Sequence, residues 1–93
     1  RRPVRLLDRP RELTVIAEVP DGPPAQLRLD GRVHRVRHAA GPERLEPEWW
    51  RELTEMRDYY RVEDQSGQRF WVYRAGLYQR DRAARWYLHG VFP

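Results

Sequence analysis

Hydrophobic and polar positions alternate along much of this chain in short runs that end at turn residues, a pattern typical of β-strands. Residues 13–19 are largely apolar and β-branched, and the prolines, aspartate and glycine of residues 20–24 end that run. Residues 25–29 and 32–38 form two further runs, joined by an Asp-Gly pair that tolerates the positive φ of a tight turn. The pattern predicts a strand followed by a hairpin.

The two valines of the third run do not fit one face of a regular strand. Val33 and Val36 are three residues apart, whereas residues on one face of a strand are separated by an even number. If both valines are buried, the sequence predicts a β-bulge near His34 and Arg35.

A different periodicity follows in residues 47–56. Pro47 suits the first turn of a helix, and Trp49, Leu53 and Met56 follow at the spacing of one helical face. The spacing predicts one short helix over residues 47–56.

Residues 59–63 and 69–73 predict a second hairpin, whose turn decides which side chains share a face. A three-residue loop, with Gly67 in the left-handed conformation, pairs Asp64 with Gln68 and each earlier residue with its mirror partner. A two-residue turn would instead bury charge against aromatic rings, so the three-residue register is predicted. One face then carries Tyr60, Val62, Phe70 and Val72, and the other carries Tyr59, Arg61, Glu63, Arg69, Trp71 and Tyr73.

A last strand is predicted over residues 85–92, after a polar connection at 75–84. Residues 1–12 contain two prolines and alternating charge, which predicts a linker or an extended arm before a single small domain at 13–93. The elements together predict a mainly β fold: a small antiparallel barrel or sandwich of about six strands with one short helix. Because the sequence opens on arginine rather than methionine, we expect it to be a piece of a longer protein.

The amino-acid composition limits the cellular location and the kinds of partner that are expected for this fold. The mean hydropathy is −0.95 and 34% of the 93 residues are charged, so no run approaches the ~20 apolar residues that span a bilayer. No signal-peptide core is present, and we expect a cytoplasmic protein without membrane contact. The 18 basic residues are all arginine, but 14 acidic residues are scattered among them. This mixed pattern is not the basic stripe of a dedicated nucleic-acid binder.

The residue types that support catalysis or metal binding are few. The chain has no cysteine, and Ser66 is its only serine and lies in a predicted turn. His34 and His38 are four residues apart, which on a strand separates them by about 13 Å, too far to share an ion. The sequence therefore predicts no enzyme activity, no metal site and no cofactor.

Three aromatic segments, at residues 41–51, 57–64 and 85–92, contain most of the chain's aromatic residues. Such a cluster forms either a dense small core or a binding face, because rigid rings bury large areas at little entropic cost. The tryptophan pair and the outer face of the second hairpin predict a partner-binding surface. Its residues are Trp49, Trp50, Arg51, Tyr59, Arg61, Trp71, Tyr73 and Arg74.

The same rings also permit a different interpretation, a single-stranded nucleic-acid module. Its rings would stack on bases, and four arginines would neutralise phosphates: Arg28, Arg32, Arg35 and Arg37. A third interpretation is that the domain covers the rest of a longer protein and binds nothing else.

The three segments also carry a family resemblance. GPERLEPEWW, then RDYYRVED followed by a glycine turn and FWVYR, then RWYLHGVF, look like the C-terminal domain of ImuB-type proteins of bacteria. The opening RRPVRLLDRPRELTV and the hairpin PDGPPAQLRLDGRVHRV extend the resemblance over nearly the whole chain. No family motif of catalytic role maps onto these residues.

The resemblance implies an adaptor in the bacterial SOS mutagenesis complex. Proteins of this family resemble Y-family DNA polymerases but are held to lack polymerase catalysis. They are held to link the sliding clamp, an error-prone replicative-type polymerase and a RecA-like accessory protein during translesion synthesis. Their C-terminal region is associated with the polymerase and the accessory protein, whereas the clamp-binding peptide would lie upstream of this chain. The resemblance and the scattered acids, which repel phosphate, favour protein docking over DNA binding.

Overall fold

The computed structural model describes residues 5–19, 22–45, 56–76 and 85–93, apart from the side chain of residue 45. Each described strand pairs antiparallel with the next, and the last pairs with the first, so the sheet closes into a barrel. This confirms the predicted mainly β, six-stranded antiparallel fold. The strands are β1 (Arg5–Ala17), β2 (Pro24–Leu29), β3 (Arg32–Leu45), β4 (Arg57–Asp64), β5 (Arg69–Ala75) and β6 (Arg85–Phe92).

The helix predicted over residues 47–56 lies outside the described residues, except for Met56. Met56 has no regular secondary structure and directly precedes β4. The described residues contain no helix long and apolar enough to cross a membrane.

The β4–β5 hairpin has the predicted three-residue register. Gly67 has φ 90°, and the backbone N–H of Asp64 donates to the carbonyl of Gln68 at 2.9 Å. Tyr59 therefore lies opposite Tyr73 at the far end of the hairpin, as the sequence predicts. The turn alone was enough to predict this register, because a glycine at positive φ sets the loop length, and the loop length sets every residue pair between β4 and β5.

The β2–β3 hairpin forms at the predicted Asp-Gly turn, and the bulge near His34 and Arg35, which was predicted only if both valines are buried, does not form. Pairing with β2 is regular there, with Leu27 opposite His34, and the register with β4 shifts instead between Val36 and His38. Val33 is 48% exposed, so it faces outward. His34 takes the inward position instead and donates a hydrogen bond to a buried carboxylate.

Residues 5–12, predicted as a linker or an extended arm, are extended and belong to β1. Residues 5, 6, 11 and 12 pair with β6, and the register shifts between Leu6 and Arg11. Pro10 lies within this shifted interval, where the N–H that proline lacks is not needed for the ladder. The strand thus continues across the boundary predicted at residue 13.

The barrel interior is filled by alternate residues of the strands. Tyr60, Val62, Phe70 and Val72, the predicted inner face of the second hairpin, are all at most 5% exposed. They pack with four further buried side chains: Leu13, Leu27, Trp86 and Leu88. Since the even-numbered positions of β4 and β5 face this core, the odd-numbered positions face outward and are available to form a site.

Candidate functional site

Outward positions of β4, β5 and β6 carry a continuous layer of rings on the outside of the barrel. Cross-strand pairing brings the rings together, since Tyr59 lies opposite Tyr73, and Tyr73 lies opposite Tyr87. We call this group the aromatic layer; its members are Tyr59, Trp71, Tyr73, Tyr87 and His89.

The rings of the aromatic layer are stacked on one another. The Trp71 ring is 4.3 Å from that of Tyr59 and 5.1 Å from that of His89, with an angle of only 6° to the imidazole. Tyr73 stacks on Tyr87 at 5.2 Å, and the Arg57 guanidinium lies 4.4 Å above the Tyr73 ring. Contacts of these kinds are each worth about 0.5–1.5 kcal/mol, so the layer is a rigid support.

A chain of hydrogen bonds fixes the middle of the layer. Arg57 donates from Nη1 to the Tyr59 hydroxyl at 3.0 Å, and that hydroxyl donates to Nδ1 of His89 at 2.9 Å. Burial raises the pKa of Tyr59 despite the opposing effect of Arg57. Burial, aided by the charge of Arg57, lowers the pKa of His89. Both rings are therefore neutral near neutral pH, as this donor–acceptor order requires.

The predicted partner-binding residues divide by burial. Tyr59, Tyr73 and Arg74 are at most 5% exposed, so they offer little area to a partner. The two tyrosines support the surface, whereas Arg74 faces the core and binds Asp58. Arg61 is exposed and Trp71 is partly exposed, so these two remain on the surface. Alternation identifies outward positions but not how outward rings cover one another. The other three predicted residues lie outside the described residues: Trp49, Trp50 and Arg51.

A pocket of about 180 Å³ lies between β3 and the aromatic layer. Arg61 and Trp71 line one side together with Tyr59, and residues 40–43 of β3 line the other. The β3–β4 register shifts between Ala40 and Glu43, which displaces the Gly-Pro pair within this segment from regular pairing. We call this cavity the Trp71 pocket.

The sequence prediction missed the wall of the Trp71 pocket because it ended the third strand at residue 38, whereas β3 continues to Leu45. Gly41 has φ 134°, and the peptide bond between Gly41 and Pro42 is cis. A Gly-Pro pair within a strand is typical of a β-bulge, and this pair is visible in the sequence.

The four arginines of the nucleic-acid interpretation lie on other strands than the rings. Arg28 and Arg35 occupy outward positions of β2 and β3, opposite Val33 and Gln26. Arg32 lies at the tip of the hairpin, and Arg37 lies where the β3–β4 register shifts. The rings and these four arginines therefore do not form the single mixed strip that a stacked, single-stranded nucleic acid follows.

A buried carboxylate lies at one end of the barrel interior. Asp58 accepts hydrogen bonds from Arg44 at 2.7 and 3.1 Å and from Arg74 at 2.8 Å. The hydrogen bond from Arg44, with further help from Arg74, outweighs burial and holds the pKa of Asp58 below its usual range. Asp58 is thus an ionised structural anchor for β3 and β5.

A second buried carboxylate, Asp64, lies at the β4–β5 turn. Burial alone would raise the pKa of Asp64, but hydrogen bonds from His34, Ser66 and the backbone N–H of Gln68 outweigh it and lower the pKa. The carboxylates of Asp58 and Asp64 thus both accept hydrogen bonds from donors within the protein. Among the described residues, no group of three acidic or histidine side chains could hold a metal ion.

Lowering the pH is expected to destabilise the fold in two stages. Because the pKa of His89 is lowered, the unfolded chain takes up a proton first, and stability falls as pH drops below about 6.5. The depressed pKa values of Asp58 and Asp64 stabilise the fold above about 3.8, and this stability is lost as pH falls further. Urea unfolding across this range measures both stages.

The variant His89→Gln removes the first stage, because glutamine can still accept the hydrogen bond from the Tyr59 hydroxyl but does not titrate. His38→Gln, at an exposed histidine, is the matched control. The His89 variant is expected to lose less stability than the control between about pH 7.5 and about pH 5.5. Equal losses in the two variants would contradict the assignment.

The chain is similar in sequence to a known bacterial protein. It is 51% identical over 100 aligned positions to protein ImuB of Caulobacter vibrioides, in each of two strains. The match covers 98% of the chain but 22% of the relatives' length, so the chain spans about a fifth of each. No protein-family model and no solved structure matches it. The identity confirms the family resemblance carried by the aromatic segments.

Proposed function

Because this chain is an ImuB-like domain, we propose that it is a non-catalytic docking domain of a DNA-damage-induced translesion synthesis complex in the cytoplasm. Its partners are an error-prone replicative-type DNA polymerase, a RecA-like accessory protein, or both. The sliding clamp is bound by the upstream part of the longer protein. The observation that carries the proposal is the Trp71 pocket, in which a partly exposed tryptophan borders an exposed arginine.

The Trp71 pocket has the residue types that dominate protein interfaces. Tryptophan, tyrosine and arginine are enriched at hot spots, and such residues lie beside pockets that a partner's side chain fills. The pocket offers an aromatic wall from Tyr59 and Trp71, an apolar ring from Pro42, and opposite charges from Glu43 and Arg61. A volume of about 180 Å³ suits one partner side chain rather than a small-molecule substrate.

Rigidity adds to the suitability of this site. Trp71 is held between two rings, so it has little conformational freedom left to lose when a partner binds. The closed barrel leaves no unpaired strand edge in the described sheet, so recognition depends on side chains rather than on adding a strand.

A non-catalytic role agrees with the state of the buried carboxylates. Asp58 and Asp64, the two buried acids of the described chain, both have lowered pKa values and protein hydrogen-bond donors. A general acid at neutral pH needs a raised pKa, which neither has. Their geometry supports a structural function.

Calorimetric titration of the chain with the polymerase, and separately with the RecA-like protein, tests the proposed function. We expect at least one of them to bind with a dissociation constant at or below tens of micromolar, the range of transient assemblies of standard interface size. Absence of binding to either protein at that concentration would contradict the proposal.

A further inference from the structure

A second surface lies on outward positions of β1, β2 and β3, away from the aromatic layer. Two cross-strand rows define it, because Arg28 pairs with Thr14 on one side and Val33 on the other, and Gln26 pairs likewise with two neighbours. We call it the arginine surface; its residues are Thr14, Ile16, Gln26, Arg28, Val33 and Arg35.

The arginine surface carries uncompensated positive charge. The β2–β3 hairpin contains four arginines, and Asp30 is its only acid between residues 24 and 38. Asp30 is already bound by Arg11 of β1. Within the described parts of the chain, no carboxylate lies within ion-pair distance of Arg28, Arg32, Arg35 or Arg37. These guanidinium groups therefore offer paired donors to an acidic ligand.

Apolar groups are interleaved with this charge. Ile16 is 47% exposed and Val33 is 48% exposed, which places two β-branched side chains in water beside the arginines. The neighbouring pocket of about 340 Å³ is a separate feature, because its wall includes Val36 and Ala39, which pack against the core, and both Arg37 and Glu18.

We propose that the arginine surface binds an acidic, extended segment of a partner protein. The carboxylates of this segment pair with Arg28 and Arg35, and its apolar side chains pack on Ile16 and Val33. The site is separate from the Trp71 pocket and does not depend on it. One barrel of this kind holds two partner segments at the same time.

The chemistry of the surface favours a protein segment over a nucleic acid. Single-stranded nucleic acids are held by rings that stack on bases, and none of the six positions of the surface carries a ring. Burial of Ile16 and Val33 against apolar side chains would add to the free energy of binding. A peptide supplies such side chains, and a phosphate backbone does not. Alternating acidic and apolar residues on an extended segment match the alternation of arginine and β-branched residues here.

The test uses the full chain and a fluorescein-labelled peptide of about a dozen residues made of glutamate and leucine, measured by fluorescence polarisation. The same peptide with glutamine in place of glutamate tests the charge requirement, and a labelled single-stranded oligonucleotide tests the nucleic-acid outcome. The double variant Arg28→Glu, Arg35→Glu reverses the charge of the surface. The matched control reverses two other exposed arginines, Arg9 and Arg85, to glutamate.

We expect the acidic peptide to bind the wild-type chain and to bind the Arg28/Arg35 variant at least about tenfold more weakly, with weaker binding as salt rises. The Arg9/Arg85 control changes the net charge by the same amount, and it is expected to bind the peptide within about twofold of wild type. The conservative variant Arg28→Lys, Arg35→Lys keeps the positive charge and is expected to retain binding. This result would show that the glutamate variant binds weakly because its charge is reversed, and not because substitution at these positions unfolds the chain. The glutamine peptide is expected not to bind.

Three results would overturn the proposal. The first is no binding of the acidic peptide to the wild-type chain. The second is an equal loss in the Arg28/Arg35 variant and the Arg9/Arg85 control. The third is an oligonucleotide that binds more tightly than the peptide and loses affinity in the same variant, which assigns the surface to nucleic acid.

Discussion

Replacing Asp58 by alanine is expected to lower the free energy of unfolding by about 3–5 kcal/mol, the usual cost of breaking a buried ion pair. Asp58 is 2% exposed and Arg74 is 5% exposed, so the guanidinium stays buried after its carboxylate partner is removed. Arg44 is different, because its side chain is 47% exposed and can turn to water. Most of the expected loss therefore comes from Arg74.

Urea unfolding at neutral pH measures this loss, with Asp8→Ala as the control at an exposed aspartate. The Asp8 variant is expected to change stability by less than about 0.5 kcal/mol. Asp58→Asn keeps the shape and accepts one hydrogen bond, so it should fall between the two. A loss below about 1 kcal/mol in Asp58→Ala would show that the carboxylate does not anchor the barrel end.

Replacing Gly41 by alanine is expected to cost about 2–4 kcal/mol, from backbone strain and a steric clash together. A Cβ atom at this position would lie 2.6 Å from the carbonyl oxygen of Tyr59 and 3.3 Å from Cα of Tyr60. Both are backbone atoms of a paired strand, so neither can move without breaking the ladder. The φ of 134° adds strain for any residue with a side chain.

Gly31→Ala is the matched control, because Gly31 also has positive φ, 78°, but has nothing within 4 Å of the added Cβ. It is expected to cost about 1 kcal/mol from strain alone. Thermal and urea unfolding of the two variants compare the costs. If Gly41→Ala costs no more than Gly31→Ala, then the close approach between β3 and β4 is not rigid.

Local chemistry made much of the fold predictable. Gly67 sets the turn of the second hairpin, and once that turn is known, the pairing of Tyr59 with Tyr73 and the inward direction of Val62 follow by counting. The same reasoning placed the Asp-Gly turn of the first hairpin. In both cases the determining residue lies in the same hairpin as the pairs that it determines.

Long-range packing limited the remaining predictions. The side chain of His34 turns inward because a carboxylate 30 residues later in the sequence accepts its hydrogen bond, and the valine spacing carried no sign of that partner. Tyr59 is buried although it faces away from the core, because neighbouring strands bring rings over it. Alternation predicts which side of a strand a residue faces, but not what covers that side.

Binding of the partner protein to the Trp71→Ala variant is the most direct test of the central claim, that the Trp71 pocket is a docking site. Calorimetric titration should show binding weakened by about 2 kcal/mol or more, roughly thirtyfold, because a central tryptophan is lost. Leu6→Ala, at an apolar residue exposed on β1, is the control and should bind like wild type. Wild-type affinity in a folded Trp71→Ala variant would contradict the account.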